Sequence, residues 1–162
     1  MQATARAKKK KGRVTVDDAV VFLARFAGGA VGTFEATRFA NGRKNANRIE
    51  INGSKGSLVF FFERMNELEF FSSEEPKHLQ GWRTILVTEP DAHPYISNWW
   101  PPGHIIGYEH TFINHAYDIL CAYAKKEKSV MPDFEDAAKT QAVLDAVLQS
   151  VKEKSWVKVP RV

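Results

Sequence analysis

The pattern of hydrophobic and polar residues divides this chain into an alternating half and a helical half. Val20 to Phe26 is a β-branched and aromatic run, flanked by Asp17-Asp18 and by Gly28-Gly29. A Gly-Gly pair between two such runs predicts a tight hairpin, because glycine tolerates positive φ. The return strand, Val31 to Phe39, alternates Thr33, Glu35 and Thr37 against Phe34, Ala36 and Arg38. Period-two alternation implies a sheet with one covered face and one wetter face. A polar loop follows over Asn41 to Asn45. Further strands are predicted over Arg48 to Asn52, Ser57 to Phe62 and Glu67 to Phe71, with turns at Gly53 to Gly56 and Arg64 to Asn66. Ser72 to Gln80 is polar and reads as a surface loop, and Thr84 to Val87 makes one more short strand.

Pro90, Pro94, Pro101 and Pro102 rule out regular helix through the next stretch. Beyond it, Glu109 to Ala124 places Phe112, Ala116, Ile119, Leu120 and Tyr123 along one stripe, the spacing of a helix lying on a sheet. Lys125, Lys126 and Lys128 suit its C-terminal end. A second helix, Phe134 to Val151, starts behind Pro132-Asp133. Asp133 is its expected N-cap, and Glu135 and Asp136 complement the dipole. Its expected buried stripe is Ala137, Gln141, Leu144, Leu148 and Val151. Trp156 to Val159 reads as a final strand returning to the sheet. The layout predicts an α+β fold: a mostly antiparallel open β-sheet with two helices packed on one face.

A chain of 162 residues with 44% hydrophobic and 26% charged residues suits one soluble domain, able to bury roughly 70% of its unfolded surface. The basic pI of 9.2 is local in origin. Arg6, Lys8, Lys9, Lys10, Lys11 and Arg13 leave only 17 basic residues against 19 acidic ones in the rest. Residues 1–13 therefore read as a disordered basic tail and 14–162 as one domain. Specific nucleic-acid binding is not expected, because a lysine run meets phosphate without reading sequence. No apolar run approaches the ~20 residues needed to span a bilayer. With no secretory pattern and the single Cys121, a cytoplasmic location is expected.

Few patterns of known chemistry occur in the chain. A dinucleotide site needs G-x-G-x-x-G between a strand and a helix, but Gly28-Gly29 and Gly53 to Gly56 sit between strands. No phosphate-cradling loop, His-Glu-x-x-His or G-x-S-x-G is present. His110 and His115 are five apart, which turns them away from each other on a helix. No metal, cofactor or catalytic residue is assigned. The richest feature is Trp99-Trp100-Pro101-Pro102-Gly103-His104-Ile105-Ile106-Gly107-Tyr108-Glu109. Aromatic faces with a few polar groups suit a polyhydroxylated ring, stacking on its C–H face and bonding its hydroxyls. Trp100, His104 and Tyr108 are the candidate substrate contacts. Arg38, at a strand end, is a fourth, able to hold a hydroxyl or carboxylate. The competing reading of Trp99 and Trp100 is an aromatic plug that fastens the loop to the sheet.

Several stretches together resemble the C-terminal domain of the Gfo/Idh/MocA oxidoreductases. They are Val16 to Val20, Gly28 to Arg38, Ile49 to Ser57, Pro102-Gly103-His104 with Gly107-Tyr108-Glu109, and Pro132 to Ala137. The resemblance implies a fold like the C-terminal domain of glyceraldehyde-3-phosphate dehydrogenase. It also implies a sugar or cyclic polyol ligand and homo-oligomers built through the sheet face. The family carries NAD or NADP on a separate Rossmann domain, and that domain is the implied further partner. Family catalysis draws a Lys from a Glu-Lys-Pro motif, and an Asp and a His four apart on a helix. Here Glu127-Lys128 is followed by Ser129, and no His has an Asp four residues before it. Glu74 and Glu89 stand four before His78 and His93, but Pro76 and Pro90 disfavour helix there. The expectation is thus the substrate-side and oligomerisation domain of an NAD(P)-dependent sugar or polyol oxidoreductase, truncated after its catalytic helix and not competent alone. The alternative is a free-standing scaffold or dimerisation module derived from such an enzyme.

Overall fold

The structure, a computed structural model, describes residues 15–128 and 130–162. The basic segment over residues 1–13 lies outside them. Two compact units result, Met1–Arg43 and Lys44–Val162. The architecture is α+β, with antiparallel sheets and two helices.

In the first unit, β1 (Ala19–Arg25) and β2 (Val31–Thr37) form the expected hairpin. Gly29 closes its turn at φ 89, with its N–H donating to Phe26 O at 2.9 Å. Along β1, Val20, Phe22 and Ala24 are half-buried while Val21 and Leu23 are exposed, so period two is obeyed. Phe22 and Phe34 are directly opposite, and their rings stack at 4.8 Å. Such aromatic cross-strand pairs are worth roughly 0.2–1 kcal/mol.

The second unit begins with a four-stranded meander, β3 (Arg48–Gly53), β4 (Gly56–Phe61), β5 (Glu67–Ser72) and β6 (Arg83–Leu86), paired in sequence order. Gly56 stands opposite Ser72, and a Cβ built on it lies 2.2 Å from the Phe71 carbonyl oxygen. Only glycine fits there. A short 3-10 turn at Phe62–Arg64 joins β4 to β5. Arg64 ion-pairs with Glu67 and, at 3.3 Å, with Glu69.

The helices are α1 (Tyr108–Lys125) and α2 (Phe134–Glu153). Asp133 caps α2 as expected, its Oδ1 accepting from the N–H groups of Glu135 at 2.9 Å and Asp136 at 3.0 Å. The faces of both helices differ from expectation. Phe112, Ile119, Leu120 and Tyr123 are exposed on α1, as are Leu144, Leu148 and Val151 on α2. The covered positions are instead His110, Asn114, Asp118 and Ala122 on α1, and Ala138, Ala142 and Ala146 on α2. On α1 the reason is specific: its polar side chains find bonding partners in the loop before it. Trp156 to Val159 also departs from expectation, since no ladder among the described residues includes it. Strand-like composition alone does not supply an edge to pair with. The buried apolar residues of this unit are Val59, Ile96, Ile106, Ala122, Ala142 and Ala146.

Candidate functional site

The proline-rich loop before α1 is held to the second unit at four points. Tyr95 donates its O–H to Asp118 Oδ2 at 2.5 Å. Trp99 Nε1–H donates to Asn114 Oδ1 at 3.0 Å, and its ring stands edge-on over His110 at 4.4 Å. Asn66, in the turn before β5, brackets a whole peptide: its Nδ2 donates to Ile106 O at 2.8 Å, and its Oδ1 accepts from Ile106 N–H at 3.0 Å. The fourth tie is at the start of α1, where His110 Nδ1 accepts from Gly107 N–H at 3.0 Å. That bond is one half of a capping box, in which the side chain at the third helical position satisfies the N–H of the N-cap residue.

Within this frame, Pro101 to His104 form a tight turn. Gly103 has φ 88, and His104 N–H donates to Pro101 O at 3.2 Å. Proline followed by a positive-φ glycine at the two central positions fits a type II turn. The turn brings the Trp100 and His104 rings near each other, tilted by 33° with their centroids 6.5 Å apart. Both are exposed, Trp100 by 58%. His104 Nδ1 lies 3.0 Å from Pro101 O. Because a carbonyl only accepts, Nδ1 carries the proton there, and neutral His104 offers Nε2 as an acceptor. His110, whose Nδ1 accepts, is held in the opposite tautomer.

Tyr108 belongs to a different cluster, set edge-on against Phe62 at 5.8 Å and Phe112 at 5.0 Å. Arg38 lies in the first unit, just past β2, where its N–H donates to Asp18 O at 2.8 Å. The structure therefore joins Trp100 to His104 and sets Tyr108 beside other aromatics. Trp99 is half-buried and bonded to α1, which is the arrangement of the plug. Sequence reasoning passed over Asn66, Asn114 and Asp118, and weighed His110 as a metal ligand only. For His110 a signal exists, a bonding side chain three residues past an uncapped glycine. Asn66 offers none, since its partner is 40 residues away.

The Asp118 carboxylate, by accepting the Tyr95 hydroxyl, holds that phenol above its ordinary value of 10.0. Burial and the carboxylate's charge add to the shift in the same direction. The tie therefore contributes fully below pH ~10 and is lost as pH rises through the raised value. Tyr95→Phe is expected to cost about 1.5 kcal/mol at neutral pH. The gap to the parent should close above the tyrosine range. Urea unfolding as a function of pH checks this, and a gap that persists unchanged at high pH would refute it. Tyr117 is likewise raised, chiefly by its hydrogen bond with Cys121.

Among the described residues no group of three or more His, Cys, Asp or Glu is placed to hold a metal ion, and no helix is long and apolar enough to cross a membrane.

Comparison with known proteins places this geometry in context. The family profile described as the oxidoreductase family, C-terminal alpha/beta domain, of Gfo, Idh and MocA, matches residues 1–159. Levoglucosan dehydrogenase of Pseudarthrobacter phenanthrenivorans is 44% identical over 153 residues, which cover 94% of this chain and 38% of that protein. A crystal structure of an oxidoreductase domain protein from Kribbella flavida superposes with a TM-score of 0.87 at 55% identity, covering 93% of this chain and 38% of that one. A levoglucosan dehydrogenase solved with NADH and levoglucosan gives 0.87 at 44% identity, over 94% of this chain and 41% of that one. The chain thus spans about two fifths of the length of the relatives it matches.

Proposed function

The chain belongs to the Gfo/Idh/MocA oxidoreductases as their C-terminal α/β domain, and on that premise we propose that it forms the sugar-facing part of an NAD(P)-dependent dehydrogenase. The observation that carries this reading is the Trp100–His104 pair on its anchored turn. An exposed indole offers an apolar face to the C–H side of a pyranose ring. His104 Nε2 stands ready to accept a hydrogen bond from a ring hydroxyl. Tyr108 supplies a further polar contact, and Arg38, in the first unit, remains a candidate of its own. The likeness to a levoglucosan dehydrogenase solved with its sugar supports an anhydrosugar or related pyranose as the ligand.

Oxidising such an alcohol moves a hydride from carbon to a nicotinamide and a proton to a base. This chain's residues bind and orient the sugar, and the nicotinamide site and the base belong to other sequence. Self-association through the open sheet is part of the same reading.

The test uses the whole chain with levoglucosan as the probe. Millimolar levoglucosan should shift the Trp100 indole and His104 imidazole signals in NMR. His104→Ala should weaken that response roughly tenfold while moving Tm little, because the side chain is exposed. NAD, NADH, NADP and NADPH should produce no calorimetric signal at micromolar concentration. Loss of Tm with an unchanged sugar response would make His104 part of a structural plug. Micromolar nucleotide binding by this chain would overturn the division of labour.

A further inference from the structure

The loop that carries Trp100 and His104 runs from Trp99 to Gly107, and one side chain of α1 reaches both of its ends. At the near end the rings of Trp99 and His110 meet in a T, 4.4 Å apart and 78° from parallel. At the far end His110 Nδ1 accepts from Gly107 N–H at 3.0 Å. Glu109 Oε1 also lies 3.4 Å from that nitrogen, but an Nδ1 that accepts has no proton to share with a carboxylate. The His110 side chain is only 15% exposed, whereas Trp100 is 58% exposed.

The other ties each serve one part of the loop. Asn114 takes the Trp99 indole N–H, and Asn66 brackets the Ile106 peptide. Fixing both ends of a short segment removes much of the freedom between them. Trp100 follows Trp99 directly, and Pro101 and Pro102 set φ at the next two positions. The direction in which the chain leaves Trp99 therefore governs where the Trp100 indole stands.

We propose that His110 is a positioning residue for the sugar: its ring and its Nδ1 together clasp the Trp99–Gly107 loop and hold Trp100 beside His104. His110 itself touches no ligand and acts through Trp99 and Gly107. The inference rests on the sugar-facing reading above and adds to it a residue that supports the site from behind. The position calls for a ring that also carries an acceptor. Glutamine, a favoured residue at the third helical position of a capping box, has the acceptor without the ring. Phenylalanine has the ring without the acceptor.

Those two variants test it on the whole chain at pH about 8, where a free imidazole is neutral. His110→Gln should keep Tm close to that of the parent. The NMR response of its Trp100 indole to levoglucosan should weaken roughly tenfold, the upper range of what an aromatic pair contributes. His110→Phe should lower Tm and weaken the sugar response less than His110→Gln does. A residue that serves the fold alone would make the sugar response follow Tm in both variants, and that ordering would overturn the proposal. A second readout needs no sugar. The nuclear Overhauser contact between the Trp100 and His104 rings, expected in the parent from their 6.5 Å separation, should vanish in His110→Gln and persist in His110→Phe. Its survival in His110→Gln, or its absence from the parent, would equally overturn the clasp. Should the contact vanish as expected while the parent ignores levoglucosan, the clasp is upheld and the sugar-facing reading is the one refuted.

Discussion

Gly56→Ala is expected to lower the stability of the second unit by about 3 kcal/mol, a fall in Tm of about 10 °C for a domain of this size. The added methyl would sit 2.2 Å from the Phe71 carbonyl oxygen, far inside contact distance. That oxygen is main chain, fixed in the β4–β5 ladder by the pairing of Gly56 with Ser72 and Ser57 with Phe71. Relief therefore requires the central strands to part at this end. Gly53→Ala, across the same hairpin, is the control. Its Cβ would be 3.6 Å from the Gly56 oxygen, ordinary contact, and the change should cost less than about 1 kcal/mol. Thermal unfolding of both variants reads the difference directly. Equal Tm values would mean that the ladder gives way at no cost, and the close approach would then not be the constraint described.

Asn66→Asp is expected to be nearly as damaging, at about 2–3 kcal/mol, although it changes a single atom. The carboxamide satisfies both the N–H and the C=O of Ile106, a residue only 6% exposed. An aspartate keeps the acceptor but faces the Ile106 carbonyl with a second oxygen in place of the donor. Burying that unpaired carbonyl beside a charge has no compensation from water. The loop should loosen between Ile106 and Trp100, and the levoglucosan response of the Trp100 indole should fall with it. Urea unfolding gives the first quantity and NMR titration the second. A variant that loses stability and keeps the sugar response would show that Asn66 serves the fold alone.

Much of this architecture is legible in the residues because local rules and tertiary structure agree. The Gly28-Gly29 turn, the alternation through Phe22 and Phe34, and the Asp133 cap each require only a few neighbouring residues. The Trp100–His104 pair is legible for the same reason, since a turn through Pro102 and Gly103 brings its flanking side chains together. Where partners lie far apart in sequence, the reading falters. A 3.6-residue period locates an apolar stripe on a helix but does not say what that stripe meets. Phe112, Ile119, Leu120 and Tyr123 have the spacing of a sheet-facing stripe and are exposed instead. Trp156 to Val159 has strand composition without a described ladder. Asn66 carries no signal, because an asparagine in a turn is ordinary until its distant peptide is known.

The seam of α1 that meets the loop is held by bonds with fixed directions, Asn114 to Trp99 and Asp118 to Tyr95. Apolar contact is non-directional, whereas donors and acceptors must be aligned. The axial orientation of this helix is consequently keyed rather than merely greased. Its outward residues can change size freely without re-aiming it, while one lost polar group on the seam would let it turn.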